Sequence, residues 1–211
     1  TLAVTASSSY VNNLYQVLLG RNADAYGLAY WTSQLTTQKM TSVQVAYAIE
    51  GSTEYLNKQV TQLYQNVLGR NPDTGGLNSW VAAMQHGTTF EQVNSAFLSS
   101  DEYYSLTGTS ARGVVSGYYL QLLGRVADQG GLTTWSDKLV TGSSRPTVVA
   151  GLYYSSEGLN AVVNRFYVTY LGRQADSGGL TNWTYALAHY GMTQKMLIAN
   201  LVGSQEFFAR P

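Results

Sequence analysis

The sequence predicts an all-α chain of four tandem three-helix repeats, about twelve helices in all, arranged as two halves. Three observations predict it. One long motif recurs four times along the 211 residues. Between its fixed points, apolar residues return every three or four positions, the period of a helix face. No stretch alternates apolar and polar residues as a half-buried strand would.

The motif is Y-x-x-x-L-G-R-x-x-D-x-x-G-L-x-x-W. Its Leu-Gly-Arg core lies at Leu19–Arg21, Leu68–Arg70, Leu123–Arg125 and Leu171–Arg173, at spacings of 49, 55 and 48 residues. A fixed period near 50 is the mark of a repeat architecture. The first helix of each unit is the long one. In the second repeat Leu56, Val60, Leu63, Tyr64 and Val67 share one face, and Gly69 ends the helix. Asp73 then stands at an N-cap, ahead of a second helix with Leu77, Trp80 and Met84 on one side. Gly87 closes that helix, and Thr89 caps a third that carries Val93 and Phe97. Ser100 caps the next long helix, with Glu102 in its first turn facing the helix dipole.

The other repeats follow column by column. The aspartates are Asp24, Asp73, Asp128 and Asp176, and the tryptophans Trp31, Trp80, Trp135 and Trp183. The glutamates after the closing serine are Glu54, Glu102, Glu157 and Glu206. Between Glu102 and Leu123 the chain has seven extra residues, within Ser105–Gly113. This sets the division: a first pair of repeats over 1–105, a linker at 106–113, and a second pair over 114–211.

Composition narrows the function. Twelve basic residues balance twelve acidic ones, with no basic run, which argues against nucleic acid as a partner. No apolar run approaches the roughly 20 residues that cross a bilayer. There is no cysteine, so no thiol nucleophile, thiolate metal site or disulfide is available. Only 11% of residues are charged, and 17 are tyrosine. A polar surface built from Ser, Thr, Asn, Gln and Tyr fits an extracellular or cell-surface bacterial protein. The segment Thr1–Ser9 lacks the basic start and apolar core of a signal peptide, so the chain is expected to be a segment of a longer protein or the mature part of one.

Half of the charged residues stand in three columns: Arg21, Arg70, Arg125 and Arg173, the four aspartates and the four glutamates. A carboxylate pair would suit glycoside hydrolysis. Four equivalent copies point instead to a structural role. Glu54 and Arg70 bracket one helix 16 residues apart, about 24 Å and beyond contact. Each arginine is therefore expected to reach the next glutamate: Arg21 to Glu54, Arg70 to Glu102, Arg125 to Glu157 and Arg173 to Glu206. The loop aspartates have no D-x-D-x-D-G spacing, and no metal site is expected. Calcium at Asp24, Asp73, Asp128 or Asp176 is the one cofactor worth weighing. His86 and His189 each fall near a helix end and make no pair. The sequence holds no G-x-S-x-G or phosphate-binding motif.

The tryptophans either form a ligand platform or belong to the core; their helical spacing from a leucine favours core, mostly buried. Tyr26 is the candidate ligand-facing residue. It stands in the Asp24–Gly27 loop where other repeats have Gly75, Gly130 and Gly178, close to polar Asn22. One further departure is Gly158, where the other copies carry Tyr55, Tyr103 and Phe207.

The motif, followed by S-x-E, resembles the domain-of-unknown-function 4214 family of bacteria, in four copies over nearly the whole chain. The resemblance implies an all-helical fold similar to the globular domain of phycobilisome linker polypeptides. It also implies a place in large secreted or surface proteins, beside calcium-binding repeats, hydrolases or adhesive modules, and brings no catalytic residue. The expected function is a non-catalytic binding or assembly module whose partners are a glycan or extracellular protein and other domains of the same polypeptide. The alternatives are a calcium-dependent surface-layer or matrix building block and, from a different class, a glycan-active enzyme.

Overall fold

The computed structural model describes residues 2–209. Among them the chain is helical throughout, with no strand. Repeat 1 comprises α1 (Leu2–Leu19), α2 (Ala25–Thr36) and α3 (Ser42–Glu50). Repeat 2 comprises α4 (Thr53–Leu68), α5 (Thr74–Gln85) and α6 (Phe90–Leu98). Repeat 3 is α7 (Asp101–Leu106), α8 (Ala111–Tyr118), α9 (Gln129–Val140) and α10 (Arg145–Tyr153). Repeat 4 is α11 (Ser156–Phe166), α12 (Ser177–His189) and α13 (Gln194–Val202), and α14 (Gln205–Phe208) follows. The helices exceed twelve for two reasons: the seven-residue insertion splits one long helix into α7 and α8, and the last S-x-E opens α14.

The caps are those the motif implies. Asp24, Asp73, Asp128 and Asp176 each accept a hydrogen bond from the N–H three residues on, all at 2.8 Å. Thr41 and Thr89 form capping boxes with Gln44 and Gln92. Gly20, Gly69, Gly124 and Gly172 end the long helices at φ between 66° and 77°, a left-handed conformation that suits glycine. One local feature is absent from the motif. In repeats 3 and 4 the last turn widens into π-helix, at Tyr119–Leu123 and Tyr167–Leu171, while repeats 1 and 2 stay α-helical to their leucine.

The stretch 106–113 runs as the end of α7, a turn over Thr107–Ser110 and the first turn of α8. Tyr103 stacks on Tyr118 across it, with ring centroids 6.0 Å apart. One buried apolar cluster draws on all four repeats. α6 packs on α10, and α3 packs on α13, so the last repeat returns to the first. Ser42 Oγ donates to the Gly203 carbonyl at 2.6 Å, and Tyr10 stacks on Phe208 at 4.7 Å. No helix among the described residues is long and apolar enough to cross a membrane.

Candidate functional site

Three places concentrate chemistry: the recurring charges, an exposed aromatic ridge and a central cavity. The charges come together as four copies of one clasp. Arg21 Nε and Nη2 donate to the two oxygens of Glu54 at 2.6 and 2.7 Å. Arg173 grips Glu206 with the same two distances, and Arg70 grips Glu102 at 2.5 and 2.9 Å. Arg125 holds Glu157 in the same fork. In every copy Nη1 turns back to the carbonyl of the next residue. In repeats 1, 3 and 4 it also lies 3.5, 3.3 and 3.5 Å from the loop aspartate. Beneath each guanidinium lies the motif tyrosine: Tyr15, Tyr64, Tyr119 and Tyr167 have ring centroids 4.9–5.2 Å from the arginine carbon.

The clasp also explains the glycine of the Gly-Leu pair, which sequence reasoning left without a reason. A Cβ on Gly27, Gly76, Gly131 or Gly179 would overlap the hydroxyl of that tyrosine. In repeats 1 and 4 the same hydroxyl accepts the tryptophan N–H, Trp31 to Tyr15 at 3.1 Å and Trp183 to Tyr167 at 3.0 Å. Trp80 leans on Phe97 at 5.6 Å. All four indoles pack on the core and are mostly buried, as expected, each keeping a minor part of its surface exposed.

These charges are committed to one another. The arginine partner holds Glu54, Glu102 and Glu157 below the usual carboxylate range. The helix N–H of the capping turn does the same for the four aspartates. Among the described residues, no three His, Asp or Glu side chains gather to hold a metal. The clasp is also wetter than a buried lock: the Arg21 and Glu54 side chains keep 41% and 47% exposure. Solvent screening then limits the coupling, so a double-mutant cycle on Arg21 and Glu54 is expected to give at most about 1 kcal/mol. A chemical-denaturation series in rising salt checks this; the coupling should shrink as salt is added.

The aromatic ridge starts at Tyr26, which is 79% exposed. Its ring stacks on Tyr30 at 6.2 Å and 11°, and Tyr30 meets Trp31 edge-on at 4.8 Å. Asn22 is engaged within its own repeat, its Oδ1 accepting from Gln16 Nε2 at 2.8 Å. On α12, Tyr185 packs against His189 and Tyr190 at 4.4 and 5.3 Å, and both tyrosines are exposed. His86 holds the Ala82 carbonyl at 2.7 Å near the end of α5.

The family model described as a domain of unknown function (DUF4214) matches residues 2–59, 57–107, 95–162 and 159–210. The chain belongs to this family. No match was found among curated proteins or among solved structures. The clasp and the caps recur in all four matched copies, so features particular to one part of this chain are found where its copies differ.

The cavity is such a place. It has a volume of about 680 Å³ and lies among α3, α4, α13 and the two π-helical turns. Glu50, Arg165, Tyr170 and Lys195 contribute to its wall, and the motif reading missed all four. A signal was present. Glu50 stands two residues before the S-x-E serine, where the other DUF4214 copies have Leu98, Tyr153 and Val202. Tyr170 occupies the column of Leu18, Val67 and Leu122. A charge in a column that is otherwise core is the anomaly to look for.

Proposed function

We propose that this chain is a non-catalytic binding module of a secreted bacterial protein, and that it takes glycans on the aromatic faces of its outer repeats. The observation that carries this is the Tyr26–Tyr30 pair: two rings stacked nearly parallel, one of them 79% exposed, backed by Trp31. Flat exposed rings suit the apolar face of a pyranose, and a rigid neighbour lowers the ordering cost of binding. The Tyr185 cluster on α12 offers a second such face. Repeats 2 and 3 carry Ser79 and Thr134 where repeat 1 has Tyr30, so the feature is not part of the scaffold. With the recurring charges tied up in clasps, most of the exposed surface left to a ligand is made of hydroxyls, amides and rings, with a few scattered charges such as Lys39, Asp137 and Lys138.

A glycan array with and without calcium tests the reading. Binding that persists without calcium and is lost in the Tyr26→Ala, Tyr30→Ala double variant is the expected result. Unchanged affinity in that variant removes the ridge as the site. Binding only with calcium turns the reading to a calcium-dependent matrix building block, and turnover of a bound glycan turns it to an enzyme.

A further inference from the structure

The cavity described above has the size of a small-molecule site, which runs from roughly 300 to 1,000 Å³. Its chemistry is not that of a packing defect. Arg165 lies in its wall with no ion pair and no hydrogen bond among the described residues; its one aromatic contact is Phe166, at 5.7 Å. Its side chain keeps solvent access, yet enough protein surrounds it to lower its pKa through desolvation. Arg165 is solvent-exposed at the cavity wall, and a guanidinium placed there without an anion of its own can hold a carboxylate in a bidentate fork.

Two more features fit a ligand of that charge. Glu50 is fully buried beside the cavity, and neither carboxylate oxygen has a hydrogen-bond partner. Burial pushes its pKa well above the ordinary value, which favours the protonated form over a charge that would compete with a ligand for the cations. Lys195, in the same wall, lies over the Tyr47 ring at 3.8 Å. Both π-helical turns also end here: Gln121 sits in one and Tyr170 in the other. Such turns are frequent at functional sites, and these two belong to the only described repeats that have them. The side-chain amides of Gln59, Asn66 and Asn94 line the cavity with no hydrogen bond among the described residues. Amides of this kind both donate to and accept from hydroxyl groups.

We propose that the cavity binds a carboxylated sugar residue, its carboxylate held by Arg165 and its hydroxyls by the uncommitted amides. This site is separate from the surface ridge and takes a different ligand. The test is calorimetric titration of the whole chain with D-glucuronate, D-glucose and acetate. Saturable binding of D-glucuronate, about tenfold or more tighter than either control, is expected. Arg165→Gln should weaken it by about tenfold or more with the circular dichroism spectrum unchanged, and Lys195→Gln by less. The Tyr26→Ala, Tyr30→Ala variant should leave it unaltered, which separates this proposal from the ridge. Methyl glucuronide distinguishes the source: tighter binding than the free sugar assigns the site to a residue within a chain, weaker binding to the free acid, and either supports it. No saturable binding of any uronate by the unsubstituted chain overturns the proposal. So does acetate matching D-glucuronate, or an affinity indifferent to Arg165→Gln in a folded variant.

Discussion

Gly158→Tyr is expected to destabilise the protein by about 3 kcal/mol, although it restores the residue that two sister repeats carry. Tyr55, Tyr103 and Phe207 are each buried in the first turn of their helix. Substitutions toward a consensus usually stabilise. Here the backbone forbids it. A Cβ built on Gly158 would fall 2.5 Å from the Tyr153 carbonyl oxygen and would overlap that of Leu152. These are backbone atoms at the end of α10, with no flexible side chain to yield. Accommodating a ring would force α11 away from α10 and open the core around Leu159 and Val162, both nearly fully buried. A urea melt of the variant against the parent measures the loss. A gain in stability would mean that the α10–α11 junction relaxes freely.

The opposite sign is expected at Glu50. Glu50→Leu should raise stability at neutral pH by about 2 kcal/mol, because it replaces a buried carboxyl lacking partners with the residue found at Leu98. Linkage supplies a second readout. The folded-state pKa of Glu50 is raised above its ordinary value of 4.5, so between that value and the folded one the native state holds a proton that the unfolded chain has released. Stability from this group is complete below about pH 4.5 and declines as pH rises toward the folded pKa. Glu50→Gln should abolish that decline while keeping the shape of the side chain. The clasp glutamates and capping aspartates act the other way: their pKa values are lowered, so their contribution is lost as pH falls through the folded values. If the parent and the Glu50→Gln variant lost stability identically as pH rises above the ordinary value of 4.5, Glu50 would be ionised in the fold.

What repeats was legible, and what does not repeat was hidden. The Arg–Glu pairs followed from helix length alone: Glu54 and Arg70 are too far apart along α4, which left each arginine one glutamate to reach. The caps followed from side-chain chemistry at fixed offsets. The π-helical turns did not: Tyr119–Leu123 and Tyr167–Leu171 keep the motif Tyr and Leu of their α-helical counterparts, and differ in carrying Leu120 and Val168 where those have Gln16 and Gln65, a difference the motif reading passed over. The tryptophans were legible as core-facing because their helical spacing from a leucine reports which face of the helix they occupy. Arg165, Glu50 and Lys195 escaped notice because each occurs in one copy, and a search for columns discards singletons as noise.

The contact between α3 and α13 has a consequence for how the molecule comes apart. In an open stack each unit leans only on its neighbours, so ends fray and copies can be added or lost at modest cost. Here Ser42 bonds Gly203, 161 residues away, and the two outer units shield one another. The array has no free end at that contact on which a fifth unit could dock in the same way. Unfolding should be all-or-none, with no gradual melting from the tips, and refolding must await one late meeting of residues 161 apart along the chain.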